Sequence, residues 1–477
     1  MKQEKRWIAL FYVLVSLWII SVASTLDQWI FGITPLVDTN INLFYITLPL
    51  LSIYLFYFFV SIFIFCIYLL GYNKVKNYQM RKITESRKHL KLYPGNEKIF
   101  QSFDVSTRNR NYAFNDLCSI IIPSRNEENV IGNTVRHCLL QTYQNIEVIV
   151  ICHNCDDRTF YEAQVQDSRV KAVDFRTKAT GKGVALNEGV KMANGKYILI
   201  LDSDAMLSRD FIETAIPLFD DNYAAVQGRY VPSNRDYNFV TKLLALEGDL
   251  WSTSYMTARS LLSKEVFLGG TGYIIRTDIL SEVGDFTNHL VDDFELSCRL
   301  LKKKHKIAFA PLSIDYDEKP PTFDIMIRQR ARWAKGFLSL LKKRVLRPSD
   351  ILGNIYWLGP LATLSSLLIL VIAAYNAIYN ILFGYYPYLY AFVPLHLWFL
   401  LIGSIMSMQC LVLVKQYGML KGLKRAAYLP AYNLFSIYAF AALLKALFVR
   451  SWQNTKTLHG FVTDKEREQI ESVERKV

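Results

Sequence analysis

The chain has 477 residues, 52% of them apolar, and a formal net charge of +13. A mean hydropathy of +0.15 is too high for an ordinary soluble enzyme, so the surplus apolar residues must be gathered in segments of their own. The charge admits a nucleic-acid partner, but the cations gather beside apolar runs, where anionic headgroups account for them. No helix-turn-helix or aromatic ribonucleoprotein pattern accompanies them, so no nucleic-acid partner is expected.

The first apolar run, Trp7 to Ala23, follows Lys2, Lys5 and Arg6, and a second extends from Phe44 to Tyr72. About 20 apolar residues span a bilayer as a helix, so both are expected to be membrane segments. No A-x-A cleavage site follows the first run, which reads as one arm of a retained two-helix hairpin over residues 1–73, with a cytoplasmic N-terminus. Lys74, Lys76, Arg81, Lys82, Arg87, Lys88 and Lys91 crowd the exit of the second run, whereas the Thr25 to Asn42 loop has no Lys or Arg. Cations mark the cytoplasmic side, so Lys74 to about Asp350 should be cytoplasmic, opening with a basic linker over residues 74–116.

From Leu117 the pattern alternates. Cys118 to Ile122 is a short apolar run, Glu127 to Gln141 has helical spacing, and Ile146 to Cys152 is a second β-branched run. Val170 to Asp174, a helical Val184 to Ala193 and the strand Tyr197 to Leu201 continue the rhythm, which predicts a parallel sheet with helices on both faces. Ligands bind such sheets beyond the carboxyl ends of the strands. Three strands end there in polar clusters: Pro123 to Glu127, Cys152 to Asp157, and Asp202-Ser203-Asp204. A D-x-D at a strand end can hold a hard divalent cation with help from phosphate oxygens, although alone it is more often a polar turn that caps the next helix.

The C-H-N-C-D-D cluster has cysteines at zinc or redox spacing. Zinc needs about four ligands, and no second C-x-x-C or matched Cys and His pair follows; a redox pair would open a helix. Asn154 and Asp157 are therefore the expected working groups and the thiols incidental. The 7 cysteines are scattered, two of them in apolar segments, and imply no disulfide framework.

Downstream, F-L-S-L-L-K-K-R reads as an amphipathic, cation-rich helix on the membrane surface, within residues 328–350. Residues 351–449 follow as a nearly continuous apolar region, with helices expected near Trp357 to Phe383, Tyr388 to Val414 and Leu429 to Phe448. A charged tail over 450–477 closes the chain.

Seven clusters in order carry a resemblance. They are I-I-I-P-S-R-N-E-E at Ile120 to Glu128, H-N-C-D-D-R-T at His153 to Thr159, G-K-G-V-A-L-N at Gly181 to Asn187, and D-S-D at Asp202 to Asp204. G-G-T-G at Gly269 to Gly272, V-D-D-F-E-L-S at Val291 to Ser297 and Q-R-A-R-W at Gln329 to Trp333 complete them. The series resembles the membrane-integrated, inverting family 2 glycosyltransferases, the branch that includes cellulose, chitin, hyaluronan and poly-N-acetylglucosamine synthases. The resemblance implies an α/β GT-A, Rossmann-like catalytic domain over residues 117–327, inserted between transmembrane segments of a multi-pass protein of the plasma or inner membrane.

By the same resemblance, Asp204 would bind Mg2+ or Mn2+ at the donor diphosphate, and Asp202 would face the nucleotide. Lys182 would lie on the donor side, as would Pro123, Asn126, Glu127, Asn154 and Asp157. Asp292-Asp293 stands where the family carries Glu-Asp, which makes Asp293 the implied general base. Gly270, Thr271, Asp292, Gln329, Arg330, Arg332 and Trp333 would serve the acceptor and the diphosphate. His153 and Asn154 occupy the neighbourhood of the usual pyrimidine-reading Asp. An Asn carbonyl can accept a uracil N–H, so a UDP-linked donor is still expected. The implied activity is processive polymerisation of UDP-glucose or UDP-N-acetylglucosamine into an exported polysaccharide, with a growing glycan as acceptor and the bilayer as surroundings. Single transfer to a membrane lipid is the alternative, a nucleotide-binding scaffold without turnover is a third reading, and an export subunit or self-association is left open.

Overall fold

The structure, a computed structural model, describes residues 41–91, 116–263, 265–343, 359–384 and 395–448. The first apolar run, residues 92–115 of the expected linker, the end of the basic stretch after Lys343 and the 450–477 tail lie outside them. The chain divides into two compact units, one built on residues 71–347, the other on residues up to 70 and from 348 to 448.

Helix α1, Ile41–Lys91, runs as one element of 51 residues through the second apolar run and on through the basic stretch after it. The linker expected from residue 74 is thus helical as far as Lys91. Val75, Gln79 and Ile83 on this part are buried. Gln79 explains the docking: its amide nitrogen donates to the Thr214 carbonyl at 3.0 Å and the Ser313 hydroxyl at 3.2 Å, and its oxygen accepts the Leu312 N–H at 2.9 Å. Leu312 and Ser313 lie where two strands slip register, a place with backbone groups to satisfy.

The 71–347 unit is built on an 8-stranded sheet of order β3-β2-β1-β4-β7-β6-β8-β5. The strands are β1 Cys118–Ser124, β2 Ile146–His153, β3 Val170–Phe175, β4 Tyr197–Ile200, β5 Met206–Leu207, β6 Tyr223–Pro232, β7 Tyr273–Arg276 and β8 Lys306–Asp317. The first four are parallel, as their alternation with helices predicts. Beyond them the sheet is mixed, because β7 lies antiparallel to both β4 and β6. Successive strand residues point to opposite faces, so Ile120 and Ile122 join one apolar cluster while Ile121 joins another with Leu186, Ile198 and Ile200.

Helices α2 Ile131–Leu139, α3 Thr159–Ala163, α4 Lys182–Met192 and α5 Phe211–Ala215 connect the first strands. Helices α6 Phe239–Glu247 and α7 Ser254–Leu262 follow β6, joined without a break by a π-helical turn, Gly248–Thr253. After β7 come α8 Thr277–Val283 and α9 Asp292–Lys302, and after β8 comes α10 Phe323–Lys342. The π turn carries Asp249, whose carboxylate accepts from the two terminal guanidinium nitrogens of Arg235 at 2.6 and 2.9 Å, each side chain under a tenth exposed. Arg235→Ala should therefore cost about 3–5 kcal/mol by leaving a buried carboxylate unpaired, read as a lowered thermal unfolding midpoint in detergent. An Arg235→Met, Asp249→Leu double variant should recover much of the loss.

The other unit contains α11 Gly359–Phe383, α12 Leu395–Tyr417, α13 Met419–Ala426 and α14 Leu429–Ala446. Three apolar helices stand close to the expected positions. The short α13, after a turn at Gly418 with φ +77°, is an addition that hydrophobic run length does not reveal. Gln409 and Asn433 exchange side-chain amide bonds of 3.0 and 3.3 Å between α12 and α14. Among the described residues, two helical stretches, Leu51–Ser86 and Leu400–Tyr417, are long and apolar enough to cross a membrane.

Candidate active site

The carboxyl ends of β1, β2 and β4 bring their polar clusters together. Asn126, with φ +57°, accepts the Asp156 N–H through its side-chain oxygen at 2.8 Å, and Glu128 accepts the Arg158 N–H at 2.9 Å. Glu127 donates its backbone N–H to the Thr159 hydroxyl at 2.7 Å. Asp157 accepts from the Thr159 N–H and hydroxyl and from the Glu128 N–H, bonds that hold its carboxyl below the ordinary range against the opposing effect of burial. These residues staple the loop after β1 to the loop after β2, and Pro123 sits in β1 paired with Ile151.

Asn154 is similarly engaged. Its amide nitrogen donates to the Thr177 carbonyl at 2.8 Å and its oxygen accepts the Thr177 N–H at 3.0 Å. Its work in this structure is to pin the strand end to the loop that leads into α4. His153 adds a ring-nitrogen contact of 3.0 Å to the Ala179 carbonyl. Cys152 and Cys155 are buried.

The G-K-G-V-A-L-N stretch opens α4. Gly181 has φ +117°, and a Cβ on Gly183 would lie 2.6 Å from the Thr287 carbonyl oxygen, so only glycine admits the loop at Thr287 so close to the helix start. Asn187 closes the same contact, exchanging two 2.9 Å bonds with the backbone of Phe286. Lys182 is thereby aimed across the end of β4: its ammonium group lies 2.5 Å from Asp202 and 2.8 Å from the Gly270 carbonyl. Burial disfavours its charge, but Asp202, Asp292 and Asp293 outweigh that and keep it protonated.

Asp292 and Asp293 occupy the first turn of α9. Ser297 fixes this turn, accepting the Leu268 N–H and donating to the Asp293 carbonyl, both at 2.8 Å. Burial pushes both carboxyls up. Asp293 reaches about 7, with the neighbouring Asp292 adding to the shift and Lys182 and Arg332 opposing it. A carboxylate poised there suits general-base work at neutral pH. A Cβ on Gly270 would stand 3.4 Å from Asp293 Oδ2, which puts the G-G-T-G loop directly against this carboxylate.

Helix α10 reaches the same place because Gly336 lets it pack on the segment before α9; a Cβ there would lie 2.8 Å from Val291. Arg332 donates to the Leu290 carbonyl at 3.4 Å and lies within electrostatic reach of Asp292, Asp293 and Asp202, while burial pulls its guanidinium below its ordinary value. Arg330 is turned elsewhere: it bonds Glu247 of α6 at 2.7 Å and lies over the Trp333 ring at 4.2 Å. Of the two arginines, either of which was expected to face a diphosphate, Arg332 is the one placed near the Asp292, Asp293 and Asp202 carboxylates. Gln329 and Trp333 lie on the same helix, partly buried.

Several contributors escape sequence reasoning. Asn187 and Ser297 lie inside the quoted motifs, but their roles appear only as contacts. Gln227 and Tyr230 of β6, described below, carry no motif at all. Asp315 is fully buried against Gly272, and burial, then Asp317 and Asp202, push its carboxyl well above the ordinary range. Among the described residues no group of three or more His, Cys, Asp or Glu forms a ready-made metal cage.

Residues 116–336 match the family model described as "Glycosyltransferase like family 2". A probable glycosyltransferase, YdaM, of Bacillus subtilis is 26% identical over 54% of this chain and 67% of its own length. A beta-monoglucosyldiacylglycerol synthase of Trichormus variabilis is 30% identical over 46% of this chain and 48% of its own. A poly-beta-1,6-N-acetyl-D-glucosamine synthase of Staphylococcus aureus is 25% identical over 46% and 54%. The last two relatives are thus matched over only about half their length. Among solved structures, a mannosyltransferase, PcManGT, of Pyrobaculum calidifontis with GDP-Man and Mn2+ has a TM-score of 0.46 at 17% identity, covering 82% of this chain and 100% of its own.

Proposed function

We propose that residues 116–336, which match the family 2 glycosyltransferase model, form a catalytic domain that transfers a sugar from a UDP-linked donor with inversion, extending a β-linked polysaccharide at a membrane. The observation that carries the reading is the juxtaposition of Asp293, raised to about 7, with the Lys182 and Asp202 pair. Breaking a glycosyl phosphate bond builds negative charge on the leaving diphosphate, which Lys182 and Arg332 would offset. A sugar hydroxyl is a weak nucleophile, and Asp293 would accept its proton as it attacks. The Trp333 ring offers a flat apolar face to a pyranose.

The donor set fits a hard cation: Asp202 and Asp204 are oxygen ligands at a strand end, and phosphate oxygens of the donor would supply the rest of the shell. With one Asp202 oxygen bonded to Lys182, Asp204 would be the principal protein ligand for Mg2+ or Mn2+, which would neutralise diphosphate charge. The apolar stretches Leu51–Ser86 and Leu400–Tyr417 support a membrane protein, and the cations that follow the first of them favour a cytoplasmic catalytic domain.

The 30% identity to a beta-monoglucosyldiacylglycerol synthase favours a second reading in which one sugar passes to a lipid. Detergent-purified protein given radiolabelled UDP-glucose or UDP-N-acetylglucosamine separately, with Mg2+ or Mn2+, tests both. High-molecular-mass product is expected; a discrete product that follows the organic phase would select the lipid transferase instead.

A further inference from the structure

The G-G-T-G loop touches both halves of the chemistry. Its Gly270 carbonyl accepts from Lys182 at 2.8 Å, and its Thr271 hydroxyl accepts the Asp202 N–H at 3.0 Å. Its Gly270 backbone also lies against the Asp293 carboxylate. Gly270 and Gly272 have φ of +82° and +56°, so the loop departs from regular structure and needs partners for its peptide groups.

Those partners come from β6. Gln227, fully buried, accepts the Gly269 N–H through its amide oxygen at 3.0 Å. Its two amide protons face three carbonyls, those of Gly228, Thr271 and Gly272, at 3.1 to 3.2 Å. Tyr230 gives its hydroxyl proton to the Gly269 carbonyl at 2.5 Å and lies 3.2 Å from that of Thr271. A Cβ on Gly269 would overlap this hydroxyl at 2.3 Å, so the phenol closes the loop from beneath.

We propose that Gln227 and Tyr230 are positioning residues for sugar transfer: by clamping the Gly269 to Gly272 loop they hold the donor-side pair, Lys182 and Asp202, in register with the acceptor-side base, Asp293. The proposal rests on the transferase reading for its kinetic part only. Neither residue reaches the reacting atoms; each acts through the loop backbone. A loosened clamp leaves each half of the site intact and disturbs their spacing, so donor binding survives while transfer slows.

Tyr230→Phe keeps the ring and removes the one hydroxyl, and Gln227→Glu keeps the shape but turns donors into acceptors facing carbonyls. In the full-length protein in detergent, Tyr230→Phe should leave the unfolding midpoint and the donor KM near wild type. It should lower kcat on the order of 10- to 100-fold, as a misplacement of about 1 Å does. Donor hydrolysis to free sugar should rise relative to transfer, a ratio that a purely structural role would not move. Hydrogen exchange at the Gly269 and Thr271 amides should quicken in both variants. Unchanged exchange, or quickened exchange with wild-type kcat and an unchanged hydrolysis ratio, overturns the proposal. If the wild type transfers no sugar at all, the transferase reading falls, while the exchange result still decides whether the clamp exists.

Discussion

Asp293→Asn should reduce sugar transfer by about 10²- to 10⁴-fold while leaving donor binding intact, the range that removal of a positioned general base produces. The substitution is isosteric and takes a raised carboxyl out of a buried site, so folding should not suffer. The wild type should gain kcat/KM as pH rises through about 7, since Asp293 must lose its proton to act and burial, then Asp292, hold it near that value. The variant should keep a small rate without that acid limb. Asp292→Asn makes the contrast: it removes a neighbour that raises Asp293, so transfer should continue with the acid limb displaced to lower pH. Equal losses in the two variants would assign the base role to the pair instead of to Asp293.

Lys182→Met is the second large effect. The ammonium group bonds Asp202 at 2.5 Å and opposes the pKa rise of Asp293 and Asp292. Its loss removes a cation from beside the developing diphosphate charge, which by comparison with other oxyanion donors lowers kcat by about 10²- to 10³-fold. It also withdraws an interaction that favours ionised Asp293, so the acid limb should move to higher pH, opposite in sign to Asp292→Asn. A pH–rate series on both variants checks the two directions, and Lys182→Arg should restore part of the rate. An unshifted limb would mean that Lys182 and Asp293 are not coupled as the geometry implies.

The half of the sheet that carries the first three polar clusters was legible because its strands are β-branched runs of four to eight residues alternating with helical spacing, and because parallel strands put their polar ends at one edge. Lys182, Asp202, Asp292, Asp293 and Arg332 converge, each from a motif visible in the chain. The direction of β7 was not legible: Tyr273–Arg276 stands outside the strand–helix alternation that marks the parallel strands, and it pairs antiparallel with β4 and β6. Nor was the helical continuation of α1 to Lys91, where charge density suggested a linker and tertiary docking through Gln79 prevails.

Side-chain commitments were hidden for a different reason. Asn154 and Arg330 have the right chemistry for a ligand, but Thr177 and Glu247 reach them first, across 23 and 83 residues of sequence. Gln227 and Tyr230 are the converse, ordinary strand residues whose importance arises only because an irregular glycine loop folds over them. Motif spacing records what a ligand requires of a local stretch and cannot record which distant backbone groups compete for the same side chain.

The most direct test of the whole account is the anomeric configuration of the sugar in the product, determined by NMR after turnover with an α-linked UDP-sugar. A single in-line attack assisted by Asp293 predicts a β linkage. An α linkage would contradict it, because retention requires a second displacement that this arrangement of Asp293, Lys182 and Asp202 does not provide for.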